Sequence, residues 1–196
     1  MTLISVSPRT WSRSEYQRLA KSGVFERDRV ELFRGEIVSM SPQDPLHSGA
    51  VENLSSLLFA KLGSQKSIRI QLPFTAPDNS EPEPDAVILD KEYALDCKRS
   101  RVHPARAELI VEVARTSLNY DRLEKSGLYA EAGVAEYWIV NLVDMAVEVR
   151  REPKADPESP YGWSYSGLEL HGPEDVVKFE GVEFQLSEIF LGILDE

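Results

Sequence analysis

The stretch Glu108-Leu-Ile-Val-Glu-Val-Ala114 is a nearly continuous apolar run of strand length with one acid inside it. Runs without alternation belong to strands buried on both faces, the centre of the sheet in an α/β fold. Glu112 is the anomaly. Burying an unpaired carboxylate is costly enough that it either finds a cation or takes up a proton.

Downstream of this strand, Ser117 or Asn119 can cap a long helix running to about Ala132, with Gly133 as its left-handed C-terminal residue. Segments 136–140 and 145–150 then predict a second hairpin. Upstream, Ser12 and Glu15 form a capping box for a helix over 11–22. Segments 30–33 and 36–40, joined by Arg34-Gly35, read as a hairpin. Asp44-Pro45 is an N-cap and first-turn pair for a helix whose Ala50, Val51, Leu54, Leu57, Leu58 and Leu62 keep helical spacing up to Gly63. A strand is expected over 67–72. The proline-rich acidic stretch 77–84 leads into a further strand, Asp85-Ala-Val-Ile-Leu89. Segment 152–161 is rich in proline and acid and reads as a loop, followed by short strands and a final helix from Ser187.

At 196 residues, 42% hydrophobic and 28% charged, the chain has the composition of one globular domain with one sizeable core, not of a disordered chain. The net charge of −11 argues against a polyanionic partner, but it is unevenly placed. Residues 152–196 hold 11 acids and 2 bases, leaving residues 1–151 almost balanced. Two basic runs remain, one from Arg9 through Arg13, Arg18, Lys21 and Arg27 to Arg29, the other Lys98, Arg99, Arg101 and Arg106. Both are compatible with a solvated face or with phosphate contacts. The single Cys97 excludes an internal disulfide or a cysteine zinc site and fits a reducing, cytoplasmic setting. No apolar run approaches the roughly 18 residues of a membrane span, and the first ten residues lack a secretory pattern.

Glycine-rich phosphate loops, G-x-G-x-x-G, H-E-x-x-H and G-x-S-x-G are all absent. His47, His103 and His171 are too scattered for spacing alone to define a metal site. What stands out is acidic. Glu112, Asp85 directly after Pro84, and Glu31 in the first hairpin are three carboxylates on predicted strands, a donor set suited to a hard divalent ion such as Mg2+. Lys125 follows Asp121 by four residues on the helix after the Glu112 strand and can reach the same place.

These residues resemble a known family. Pro84-Asp85, Glu112-Val113 in an apolar strand, then Ser117, Asp121, Lys125, Tyr129 and Gly133-Val-Ala-Glu-Tyr-Trp138 are similar to the Uma-two family of restriction-endonuclease-like proteins. That family sits within the PD-(D/E)XK nuclease superfamily. Glu31-Leu-Phe-Arg-Gly-Glu-Ile-Val38 and the segment from Ser41-Pro42 to His47 match as well, so the resemblance spans about Val30 to Arg151. It implies a restriction-endonuclease-like α/β fold, a central mixed sheet flanked by helices; the acidic C-terminal segment lies outside the resemblance and is read from the sequence as extra strands packed on the same domain. It further implies an endonuclease acting on DNA with Mg2+ or Mn2+. Asp85, Glu112 and the adjoining Val113 would be the metal-binding positions, Lys125 the electrostatic partner and Glu31 an auxiliary acid. His47 and Asp121 would be substrate contacts, and cutting both strands would suit a homodimer. One departure matters: the superfamily lysine usually stands two residues after the second acid, and here that position is Ala114.

Plainer readings stand beside these. Asp121 and Lys125 have the spacing of an ordinary helical ion pair. Glu112 can form a structural bridge with Lys125 or Arg115, Asp85 can be a strand-start residue, and Glu31 an exposed charge on a hairpin edge. His47 can be a helix-start residue, and Tyr129, Tyr137 and Trp138 read as sheet and core packing. In function, the rivals are an inactive nuclease scaffold that binds nucleic acid or protein, favoured by Ala114, and an acidic oligomeric interaction protein suggested by the tail.

Overall fold

The computed structural model describes residues 8–40 and 42–193. Ser41 of the matched segment and the first seven residues lie outside the described residues. Helix α1 (Arg13–Lys21) opens on the capping box expected from Ser12 and Glu15. β1 (Val30–Phe33) and β2 (Glu36–Ser39) form a separate antiparallel hairpin, its turn made by Arg34 and Gly35, both at positive φ. Helix α2 (Pro45–Leu62) is capped by the Asp44 carboxylate, which accepts from the His47 backbone N–H.

The main sheet has six strands in spatial order β3-β4-β5-β6-β7-β8. β3 (Lys66–Ile70), β4 (Ala86–Asp90) and β5 (Leu109–Ala114) pair antiparallel in succession. β5 pairs in parallel with β6 (Glu136–Asn141), while β7 (Ala146–Ala155) and β8 (Trp163–His171) return antiparallel. β5 is thus central, as its apolar run requires, and all six of its residues are buried. Its parallel neighbour demands a crossover, supplied by α4 (Leu118–Tyr120), a π turn (Asp121–Lys125) and α5 (Ser126–Glu131). Helix α3 (Lys91–Ser100) lies between β4 and β5 in the chain. β9 (Val176–Phe179) and β10 (Val182–Gln185) make a second hairpin.

Alternation along the strands separates two cores. Leu109, Val111, Val113, Trp138 and Val140 face α2, β9 and β10. Ile110, Ala114, Tyr137 and Ile139 face the crossover helix and Phe33 of the first hairpin. Strand parity therefore turns Glu112 toward the crossover helix.

Three local expectations are corrected. Segment 152–161 is not all loop, because β7 continues to Ala155. Beyond Arg151 it has lost β6 and pairs only with β8, so a strand edge is free where Pro153 lacks its N–H. The final helix from Ser187 is a single 3-10 turn, Leu186–Glu188, since Leu186, Ile189, Phe190 and Ile193 are drawn into the core instead. Between Ser117 and Ala132 there is no uniform α-helix, and the Ser117 side chain makes no cap bond.

Candidate functional site

The register of β4 on β5 pairs Ala86 with Val111 and Val87 with Ile110. One step beyond this ladder, Asp85 falls opposite Glu112 on the same face. The Asp85 carboxylate accepts from the Val113 backbone N–H at 2.8 Å and from Gln71 at 3.0 Å. Its other neighbour is His47 from the first turn of α2, with Nε2 3.4 Å from Asp85 Oδ2. Burial would push the Asp85 carboxyl up, but His47, Gln71 and the Val113 amide outweigh it and hold it below its ordinary value.

Glu112 is 4% exposed. Its Oε1 accepts from the Lys125 ammonium at 3.0 Å and from the Tyr129 hydroxyl at 2.6 Å. The same ammonium lies 3.6 Å from Glu31 Oε2 and 3.9 Å from Asp121 Oδ1. Burial alone would discharge Lys125, but Glu112, Glu31 and Asp121 around it raise it well above its usual value and keep it charged. Burial, reinforced by Asp121 and Asp85, pushes Glu112 up to about 8 despite Lys125. Asp121, which accepts from the Ser117 hydroxyl at 2.6 Å, is pushed up by burial to about 6.

The structure therefore brings together the seven residues proposed from the sequence as metal-binding, catalytic or substrate-contacting. Asp85, Glu112, Val113, Lys125, Glu31, His47 and Asp121 all line one pocket of about 310 Å³. Glu31 is only 2% exposed, so the idea of a charge left on a hairpin edge is overturned. β1 lies against the acidic stretch through a bridge between Leu32 and Glu81, which turns Glu31 inward. Arg115 does not reach Glu112; it pairs with Asp44 at 3.0 Å. Ala114 is fully buried on the strand, and the cation comes from the crossover helix.

Sequence reasoning missed three contributors. Glu83, two residues before Asp85, also lines the pocket, and burial raises its carboxyl. Its signal was present, since Glu-Pro-Glu-Pro-Asp in an extended conformation sends alternate acids to one side. Gln71 carried no signal. Tyr129, expected as packing, also donates its hydroxyl to Glu112.

Three buried carboxylates, Glu31, Glu112 and Asp121, share one ammonium, and the fourth, Asp85, lies against His47. Among the described residues no group of three or more Asp, Glu, His or Cys is arranged as a ready metal cage. Two adjacent carboxylates with surplus negative charge nevertheless fit Mg2+, which keeps much of its water shell and takes only one or two protein carboxylates.

The fold is that of a solved nuclease-like protein. A crystal structure of a "putative nuclease belonging to DUF820" from Anabaena variabilis superposes with a TM-score of 0.67 at 13% identity, covering 93% of this chain and 98% of that one. No curated protein matches the chain. The Uma2 family, described as "Putative restriction endonuclease", matches residues 13–186, and the chain belongs to that family. The match extends beyond the 30–151 expected from sequence, taking in α1 and the C-terminal strands. No helix among the described residues is long and apolar enough to cross a membrane.

Proposed function

We propose that this protein is a divalent-metal-dependent endonuclease hydrolysing DNA phosphodiester bonds at the Asp85–Glu112 pocket. The observation that carries the reading is that antiparallel register sets Asp85 opposite Glu112 while the Lys125 ammonium sits 3.0 Å from the second acid. Asp85 and Glu112 would hold Mg2+ or Mn2+ beside Val113. The bound ion supplies charge that polarises the scissile phosphate and makes water acidic enough to attack near neutral pH. The Val113 amide and Gln71 fix Asp85, Tyr129 fixes Glu112, and Lys125 supplies positive charge where the phosphoryl oxygens gain negative charge. Glu31 keeps that ammonium charged. His47 and Asp121 face the substrate side of the pocket. Cutting both strands takes two such sites, so the reading includes a homodimer, which sedimentation measures directly.

Plasmid nicking with Mg2+ or Mn2+ tests it. Wild type is expected to nick, and Asp85→Ala, Glu112→Gln and Lys125→Ala to lose on the order of 10²–10³-fold in rate. Equal cleavage by wild type and both acid variants would remove the site. Ala114 favours the rival, an inactive scaffold, and calorimetry showing no divalent ion bound would establish it.

A further inference from the structure

The crossover helix changes its winding beside the carboxylates. It is α-helical over Leu118–Tyr120, π-helical over Asp121–Lys125 and α-helical again over Ser126–Glu131. In a uniform α-helix, each step of four residues overshoots a full turn by about 40°, so Asp121, Lys125 and Tyr129 would fan out over about 80°. A π turn closes from i to i+5 and is wider, so the step from Asp121 to Lys125 falls short of a full turn and the drift cancels. As a result Asp121 stays on the side of Lys125 and Tyr129: Asp121 Oδ1 lies 3.9 Å from the Lys125 ammonium while Lys125 and Tyr129 both donate to Glu112 Oε1.

Rare helical geometry needs support from outside the helix, and two groups on the sheet grip consecutive residues of the turn. The Tyr137 hydroxyl on β6 donates to the Asp121 carbonyl at 3.2 Å, which also accepts from the Ser126 backbone N–H. Glu148 on β7, 2% exposed, accepts from Arg122 Nε at 2.8 Å and lies 2.6 Å from its Nη2. Glu148 is itself held by Arg150 at 2.9 Å and Asn141 at 3.3 Å. Tyr137, Arg122, Glu148, Arg150 and Asn141 are not among the residues lining the carboxylate pocket. Glu148 is buried between valines of β7 while Arg122 is about one-third exposed, so the carboxylate draws a helix side chain down onto the sheet and fixes the turn relative to β7.

We infer that Glu148 and Tyr137 are positioning residues: by pinning the π turn at Arg122 and Asp121, they hold the Lys125 ammonium on Glu112. The catalytic meaning of this rests on the nuclease reading above; the placement of the ammonium does not.

The test is NMR of the full chain with 15N-labelled lysine, reading the ammonium signal of Lys125, identified by its loss in Lys125→Met. Glu148→Gln and Tyr137→Phe are expected to shift or broaden it, and Glu148→Asp to restore part of the change. Val177→Ala, which weakens the core on the opposite face of the sheet, should leave it in place. Tyr137→Phe removes one hydroxyl only, so it still decides the matter if Glu148→Gln fails to fold. An unmoved signal in folded Tyr137→Phe and Glu148→Gln overturns the inference. In nicking assays Glu148→Gln should lower the rate about 10- to 100-fold, as for residues that orient a catalytic group, and add little to Lys125→Met. Fully additive losses would overturn the route through Lys125. If wild type never nicks, the nuclease reading falls while the NMR result still stands or fails by itself.

Discussion

Asp85 stands opposite Glu112 one register step past the β4–β5 ladder, and the Val113 amide closes the gap by donating to Asp85 at 2.8 Å. The acid that would bind metal is therefore also a joint between two strands. Asp85→Ala should lower stability by about 1–3 kcal/mol, because it strands the buried Val113 N–H, whereas Asp85→Asn keeps an acceptor and should cost less. Urea unfolding without metal measures both. An Asp85→Ala protein as stable as wild type would show that this bond does not join the strands.

Glu112 should make the stability of the metal-free protein depend on pH. Its carboxyl is pushed up from 4.5 to about 8, chiefly by burial. The folded state thus binds a proton that the unfolded chain releases, and the sign follows: this group's contribution falls as pH rises from about 4.5 to about 8. Glu112→Gln, neutral at every pH, should flatten that part of the stability profile, read from urea unfolding at pH 5, 6, 7 and 8. A profile of unchanged slope would mean that Glu112 is already ionised throughout. By the same linkage, binding of Mg2+ should release protons and tighten toward pH 8.

Much of this site is legible in the sequence, and the remainder is hidden for definable reasons. Glu112 inside an apolar run announces a buried charge, and Pro84-Asp85 marks the start of the neighbouring strand. That the two acids are adjacent depends on pairing register, which links residues 27 apart and leaves no local trace. Lys125 is obscured differently, because a spacing of four from Asp121 fits an ordinary α-helical ion pair and nothing in Asp-Arg-Leu-Glu-Lys signals a π turn. Helix α3 does have a signature in the sequence: Asp90 caps it by accepting from the Tyr93 N–H at 2.9 Å, and Ala94 and Cys97 hold a buried three-residue spacing.

Arg29 and Arg115 stand exposed among the residues lining the carboxylate pocket, so on the proposed nuclease reading DNA entering it would meet them first. Each is expected to contact a phosphate. Arg29→Gln and Arg115→Gln should each weaken DNA binding across all sequences and reduce the slope of log affinity against log salt by about 1. Fluorescence anisotropy in Ca2+ between low and moderate salt measures this. Arg115 has first to leave Asp44, so its variant should show the smaller loss. Slopes equal to wild type would place the DNA path elsewhere.

The acidic C-terminal segment looks dispensable from its charge, yet its apolar residues say otherwise. Phe184 on β10 is fully buried and meets Trp138 of β6 edge-on, with ring centroids 5.6 Å apart. Trp138 lies on the opposite face of the sheet from Glu112, beside Val113 and Val140 in the same core. Phe184→Ala should cost about 3–5 kcal/mol, as expected for emptying a close-packed aromatic site. The loss should appear in one cooperative transition followed by both tryptophan fluorescence and far-ultraviolet circular dichroism, since β8 is hydrogen-bonded into the main sheet and β9 and β10 cover it. Two separated transitions would show that residues 152–196 fold as a unit distinct from the strands that carry Asp85 and Glu112.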